Sequence, residues 1–446
     1  MNMQAQSAWR AAPGRRSTIA QLLLLALVVA AATYARVALG PLQELAKADL
    51  ALTDSQIGVL QGPALTLPMV IAAIPLGLLI DRQSRTRLLS LCLLVALIGS
   101  VATALAPTYA ILIVARAVTG LATFSANPIA VALIADLFEP GQRGRASTAT
   151  AMGQTAGMSA VWVLGGVLIV VAPGDSAAFG PNGAWRLALL GLCVPLALVF
   201  LCSLMLREPA RDWASAVASS KSASLVRLWH YRDRVGLLLL GVAAFEVIFL
   251  ATISWAGPAL GRAFLLQPDQ LGSIMGVILL ISGIGGPLLG GLAADASYRV
   301  GGPRAMLAVL AILGLAVLPA SLFAAAHSLW VAGLALLWLV TLVSAICMLG
   351  TTMMTVVVPP DLRGLFFGAF VGLVLLIAGV APMLVSQLSD AMGGATHIGP
   401  ALGAICLGAG VAGILCFVSG RVRFPIDLAS DKEGGDSSVF SARDAG

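Results

Sequence analysis

Charge is what this chain has least of. Only 10% of its 446 residues are Asp, Glu, Lys or Arg, and 59% are hydrophobic. An ordinary water-soluble domain carries about 25% charged residues. So little polar surface cannot cover a soluble particle, and the solvent must be lipid. Histidine is nearly missing: His230, His327 and His397 all fall in loops or at the ends of apolar runs. The six cysteines (Cys92, Cys193, Cys202, Cys347, Cys406 and Cys416) lie inside apolar runs without ligand spacing, and read as small buried hydrophobes. There is no nucleophile elbow, phosphate loop or metal-ligand pattern, and GGPLLGG at 285–291 lies inside an apolar run as helix-packing glycine. These absences argue against an enzyme and predict no cofactor and no metal. A net charge of +6 would suit nucleic acid, but the basic residues sit in short connections rather than on one folded face. No nucleic-acid partner is expected.

What the chain has is apolar runs. Crossing a bilayer takes roughly 17–25 residues. Twelve runs qualify, near 18–40, 55–80, 87–106, 109–138, 146–172, 184–206, 235–260, 271–294, 303–325, 329–357, 365–391 and 399–419. Lipid cannot satisfy backbone groups, and no period-two alternation supports a barrel, so the runs are predicted to be helices. Of the 26 Lys and Arg residues, 21 fall on one side of this scheme, and Lys47, Arg186 and Arg262 fall on the other. The bias predicts cytoplasmic termini. The opening GRRSTIAQLLLLALVVAAATYA has the layout of a secretory signal, but removing it would invert the charge bias of eleven further spans. It is read as a retained first helix.

The chain also repeats. Gln56, Gly58, Gly77, Asp81 and Arg85 recur as Gln270, Gly272, Gly291, Asp295 and Arg299, each at an offset of 214 residues. Two copies of a six-span unit are implied, a bundle at 1–206 and another at 235–419. Between them, 207–234 reads as a cytoplasmic linker rich in Ser and Ala, and 420–446 reads as a disordered cytoplasmic tail.

This twelve-span, two-copy pattern resembles the major facilitator superfamily. Its hallmark G-x-x-x-D-R-x-x-R stretch between helices 2 and 3 is matched by Gly77, Asp81, Arg82 and Arg85, with Arg87 following. The second copy keeps Gly291, Asp295 and Arg299 but carries Ala296 in place of Arg82. The R-x-x-x-G of helix 4 is matched by Arg116 and Gly120. LTDSQIGVLQG (52–62), PLGLLIDRQSR (75–85) and LIADLFEPGQRGRA (133–146) resemble bacterial spinster-like members more narrowly. Two acidic positions tied to proton handling in such proteins are neutral here: Ala35 precedes Arg36 where Asp is usual, and Thr123 replaces Glu. An antiporter G-P-x-x-G-G pattern is met only by Gly165-Gly166, with Val161-Trp162 in place of Gly-Pro.

A charge deep in a bilayer costs at least ~2.5–3.5 kcal/mol on insertion scales, so each one calls for a reason. Arg36, Arg116 and Glu246 are the candidates for substrate or coupling roles, with Tyr34, Thr123 and Asn127 beside them. Arg116, Thr123 and Asn127 fall on one helical face. That face meets either an aqueous cavity or neighbouring backbone carbonyls. Arg36 either snorkels outward or, if the helix continues in kinked form past Pro41, sits deeper. Glu246 is a proton carrier or a static counter-ion. Two arginines and one carboxylate leave one positive charge uncompensated, which an anionic cargo group would balance. Trp255, Trp338, Met348, Met353 and Met354 would accept an apolar tail, or simply pack the bundle.

The resemblance assigns the repeated stretch a different task. Gly77, Asp81, Arg82, Arg85, Gly291, Asp295 and Arg299 are gating candidates. Asp81 is expected at the start of helix 11, after Pro359-Pro360-Asp361, and Asp295 near Arg145 at the start of helix 5. The expected fold is all-α, twelve transmembrane helices in two pseudo-symmetric six-helix bundles. The expected function is secondary active transport by alternating access, moving a small organic or amphipathic anion, lysolipid-like in the spinster comparison. Proton-coupled efflux by a monomer in a bacterial inner membrane is the reading. A broad multidrug exporter, a facilitated uniporter and a non-transporting membrane sensor are its rivals.

Overall fold

The computed structural model describes residues 15–138, 142–172, 179, 183–208, 232–358 and 363–423. Among these every regular element is helical. Span 1 is Arg15–Val37. A turn at Gly40–Leu42 carries the chain past Pro41 into a short helix, Gln43–Asp49. Span 2 is Asp54–Gln61 followed by Pro63–Arg82, broken at Gly62. Spans 3 to 6 are Arg85–Leu105, Tyr109–Leu137, Arg143–Val171 and Ala184–Ser203. Span 7 is Arg232–Phe264, and span 10 is Leu329–Val357. Span 11 is Arg363–Ala378 followed by Ala381–Ala391, and span 12 is Ile398–Arg423.

Among the described residues, eleven helical segments are long and apolar enough to cross a membrane. One of them, covering spans 8 and 9, contains two. Pro268–Ala320 reverses at Gly301 and Gly302, where Gly302 has φ 57 and ψ −149. Only glycine adopts that backbone without strain. The twelve-helix, two-bundle fold expected from sequence is therefore present. The C-terminal helix runs to Arg423, past the boundary expected at 419, and most of the linker and tail (209–231 and 424–446) lie outside the described residues.

The repeat has a structural reason. Thr53 caps span 2 through Gln56: Gln56 N donates to Thr53 Oγ1 at 3.1 Å and Thr53 N to Gln56 Oε1 at 2.9 Å. Span 8 starts the same way, with Gln267 N donating to Gln270 Oε1 at 3.3 Å. Gln56 and Gln270 are thus the third residues of paired capping boxes. Gly58 and Gly272 lie next in line at the seam between the halves. A Cβ on Gly58 would come within 2.3 Å of Ser386 Oγ on span 11, and one on Gly272 within 2.5 Å of the Trp162 carbonyl on span 5.

These seams define the state of the molecule. Span 2 meets span 11 at Gly58 and Gly62, and span 5 meets span 8 at Gly166 and Gly272, in the part of each span remote from the face where span 1 begins and span 12 ends. The contact between spans 5 and 8 reaches the middle of both at Thr155 and Gly283. Ser159 Oγ donates to Gly276 O at 2.7 Å and Thr155 Oγ1 to Gly283 O at 3.3 Å. Small residues and hydroxyls let these backbones close on one another. The far face is sealed.

On the terminal face, Glu208 holds the start of span 3. It accepts from Arg85 N (2.9 Å), Thr86 N (2.8 Å), Thr86 Oγ1 (2.6 Å) and Ser84 Oγ (2.8 Å). Burial pushes its carboxyl up, but the bonds from Thr86, Arg85 and Ser84 outweigh burial and hold it below the usual range. A lowered folded-state value stabilises above the unfolded value and is lost as pH falls through it. Glu208→Gln is therefore expected to lower Tm at pH 7, with the gap to wild type closing toward pH 4. Melting curves of detergent-purified protein across that range check it, and a gap independent of pH would contradict it.

Candidate functional site

Spans 1, 4, 7 and 10 bring four side chains together. Arg36 stands on span 1, its guanidinium carbon 4.6 Å from the centroid of the Phe124 ring on span 4. Glu246 of span 7 is near enough for the two charges to interact across the halves, and the Cys347 thiol of span 10 lies beside the Glu246 carboxyl. Arg36, Phe124, Glu246 and Cys347 all stay partly accessible although they lie deep in the bundle. They therefore face the space between the halves. The chain continues in helical form past Pro41 to Asp49, which places Arg36 inside the bundle rather than at its rim. A guanidinium over an aromatic face gains about 0.5–2 kcal/mol, the upper end when desolvated, while its donor edge stays free for a partner.

Arg116 is elsewhere. It is 2% exposed, and its guanidinium is used by the protein itself. Nη2 donates to Arg36 O at 3.0 Å and to Gln61 Oε1 at 3.2 Å, and Nε to Leu60 O at 3.5 Å. These carbonyls belong to the last turn of span 1 and to the break in span 2, where helical partners run out. The sequence alternative in which Arg116 binds backbone is the one its geometry matches. Thr123 bonds its own helix, to Thr119 O at 2.8 Å. Asn127 is exposed and accepts from Gln154 Nε2 at 3.1 Å. The three share a helical face, but Arg116 and Thr123 are buried whereas Asn127 is exposed, so the stripe is not one site.

Tyr34 points away from Arg36, as a two-residue step of about 200° on a helix requires. Its ring lines an apolar cavity of about 230 Å³ between spans 1, 5 and 6, and its hydroxyl is buried without a partner. Trp255, Met353 and Met354 are fully buried, Trp255 donating to Pro382 O at 2.8 Å, whereas Trp338 is 55% exposed. Of the five apolar candidates only Trp338 and Met348 remain accessible.

Among the gating candidates, Arg85 pairs with Asp136 and donates to Ala132 O at 2.8 Å, inside one half. Gly77, Asp81 and Arg82 end span 2 as helix, but their surroundings lie outside the described residues, as do 359–362. Gly291 has open space around it, and Asp295 and Arg299 are exposed. Among the described residues no ion pair joins Asp295 to Arg145, and no group of three or more His, Cys, Asp and Glu is placed to hold a metal.

A further cluster escaped the sequence reading. Arg262, at the end of span 7, bonds Asp54 at 2.8 and 2.9 Å and Glu44 at 2.8 and 3.1 Å, both in the other half. Lys47 also bonds Asp54, at 2.6 Å. In the sequence Arg262 and Lys47 count only among the few basic residues on the far side. The overlooked signal was the density of charge between Glu44 and Asp54 in a chain that avoids charge.

The family model described as Major Facilitator Superfamily matches residues 25–382. The chain belongs to this superfamily. Solved structures agree on the fold. A bacterial homologue of the human lysosomal transporter Spinster, inward-facing and unoccupied, is 21% identical with a TM-score of 0.72, over 92% of this chain and 97% of that one. The nucleoside transporter NupG (13%, TM-score 0.67, 92% and 100%) and a D-xylose–proton symporter (18%, TM-score 0.67, 92% and 98%) are also similar. Comparison with curated protein sequences gave no significant match. As a superfamily member the chain is a multi-pass membrane transporter for small molecules, and Arg36, Phe124, Glu246 and Cys347 stand on the four helices that enclose its central space.

Proposed function

We propose that this transporter moves a small organic or amphipathic anion by alternating access, with Arg36 as the anion-binding group and Glu246 coupling movement to protons. The observation that carries the reading is that Arg36 and Glu246 stand on spans 1 and 7, one in each half, near enough for their charges to interact and both partly accessible within the bundle. A cargo carboxylate, phosphate or sulfate accepts two parallel hydrogen bonds from guanidinium and competes with Glu246 for it. Protonating Glu246 frees Arg36 for cargo; releasing the cargo lets Glu246 ionise again. Each partner thus shifts the affinity of the other, as coupled transport requires. An apolar tail would lie along Phe124 and Met348. This scheme carries proton and anion in the same direction, so a gradient acid outside drives uptake and export needs an outward anion gradient. Cytoplasmic termini in a bacterial inner membrane are supported by the Lys and Arg bias.

The test is transport into proteoliposomes of matched anionic, cationic and neutral probes under an imposed pH gradient. Anionic probes should move, and the gradient should drive them. Glu246→Gln should retain movement down a concentration gradient and lose the response to pH. A response to pH equal to wild type in that variant would mean that Glu246 is a static counter-ion and not the coupling site, whereas wild-type transport indifferent to the gradient would make the protein a uniporter. Equal transport of cationic drugs by wild type and Arg36→Ala would favour a broad exporter.

A further inference from the structure

Ser254 lies on span 7, four residues before Pro258. Proline has no N–H, so the Ser254 carbonyl has lost its helical donor. Gln43 of the other half supplies one: its Nε2 donates to Ser254 O at 2.9 Å. Gln43 Oε1 in turn accepts from Gln61 Nε2 at 2.6 Å, and Gln61 Oε1 accepts from Arg116 Nη2 at 3.2 Å. Every donor in this chain points the same way, from the Arg116 guanidinium to span 7. Gln43 is 1% exposed, so water does not replace a lost link. The same guanidinium holds the backbone carbonyl of Arg36 at 3.0 Å. One residue therefore touches both the central site and the seal.

We propose that Arg116 is a positioning residue of the far-face seal: through Gln61 and Gln43 it locks the orphan Ser254 carbonyl, in parallel with the Arg262 latch on Asp54 and Glu44. The latch is electrically balanced, two cations against two carboxylates. Opening the far face withdraws Arg262 with its own half and leaves Asp54, 3% exposed, with Lys47 alone. It also strips Ser254 O of its donor. Both losses disfavour opening until something at Arg36 shifts the carbonyl that Arg116 holds. The assignment does not depend on what the cargo is.

The experiment is a distance measurement between spin labels at Ala110→Cys and His327→Cys, both exposed at the far face on opposite halves. It uses full-length protein in nanodiscs, with exposed Cys202 replaced by Ser. Wild type should give a short distance. Gln43→Ala and Arg262→Ala should each raise the long-distance fraction at least fivefold, while Arg262→Lys keeps most of the short one. Pro258→Ala, which returns an N–H to Ser254 O, should loosen the seal without touching Gln43 or Arg116. Distributions unchanged in both Gln43→Ala and Arg262→Ala would overturn the proposal. So would an Arg116→Ala protein that folds, keeps the short distance and loses affinity for an anionic probe, because that would return Arg116 to the cargo. Should Arg116→Ala not fold, Gln43→Ala and Pro258→Ala decide the matter alone.

Discussion

Arg36→Ala is expected to reduce transport of an anionic cargo by roughly 10- to 150-fold while leaving the fold intact. Hydrogen bonds to a charged group are worth about 1.5–3 kcal/mol, and that range converts to this factor. The variant also removes the stack on Phe124, so an amphipathic cargo loses the surface beneath its head group as well. Arg36→Lys keeps the charge but not the planar fork or the stack, and should fall between the two. Removing Arg36 alone leaves Glu246 without its charge partner. Arg36→Ala with Glu246→Gln should therefore melt closer to wild type than Arg36→Ala does, yet transport no better. Initial rates of anion uptake in proteoliposomes, normalised to inserted protein, provide the measurement. Wild-type rates in Arg36→Ala would remove Arg36 from the binding site.

Architecture was legible because lipid enforces it. A backbone that cannot reach water must close its hydrogen bonds within each span, so apolar length alone marks twelve helices, including the two that join at Gly301–Gly302. The repeat was legible for a different reason. Gln56 and Gln270 close capping boxes, and Gly58 and Gly272 admit a facing backbone, so each position tolerates few residue types.

The site was only half legible. That Arg36, Arg116 and Glu246 stand in the membrane followed from charge; which of them faces the central space did not. Arg116 is consumed by carbonyls that exist only because span 1 ends near Val37 and span 2 breaks at Gly62. Helical periodicity on span 4 carries no information about endings elsewhere. Phe124 and Cys347 gave no signal at all, since an aromatic and a thiol in an apolar run look like packing. The Arg262 latch was hidden for another reason: its partners lie more than 200 residues away in sequence, and pairing across halves depends on the conformational state.

Gly58→Val should trap the far face open. A Cβ at Gly58 would lie 2.3 Å from Ser386 Oγ, 2.8 Å from Pro382 O and 2.9 Å from Met383 Cα. Two of those atoms are backbone, so the clash is not relieved by turning a rotamer. Overpacking of this kind costs about 1–3 kcal/mol, which moves a two-state equilibrium roughly 5- to 150-fold. All three contacts belong to the other half, so separating the halves removes the cost and the N-terminal bundle is left as it was. Gly272→Val should act alike through span 5, where the Trp162 carbonyl and Gly166 Cα lie 2.5 and 3.1 Å from the new atom. Gly120→Ala provides the contrast. Its Cβ would sit 2.1 Å from Leu65 O within one half, so no rearrangement of the halves relieves it, and it should lower Tm instead. The far-face label distance should therefore lengthen in Gly58→Val and Gly272→Val with Tm nearly unchanged, and transport should stall. A lowered Tm without a longer distance in the seam variants would mean that the seam holds the fold together and does not govern the state.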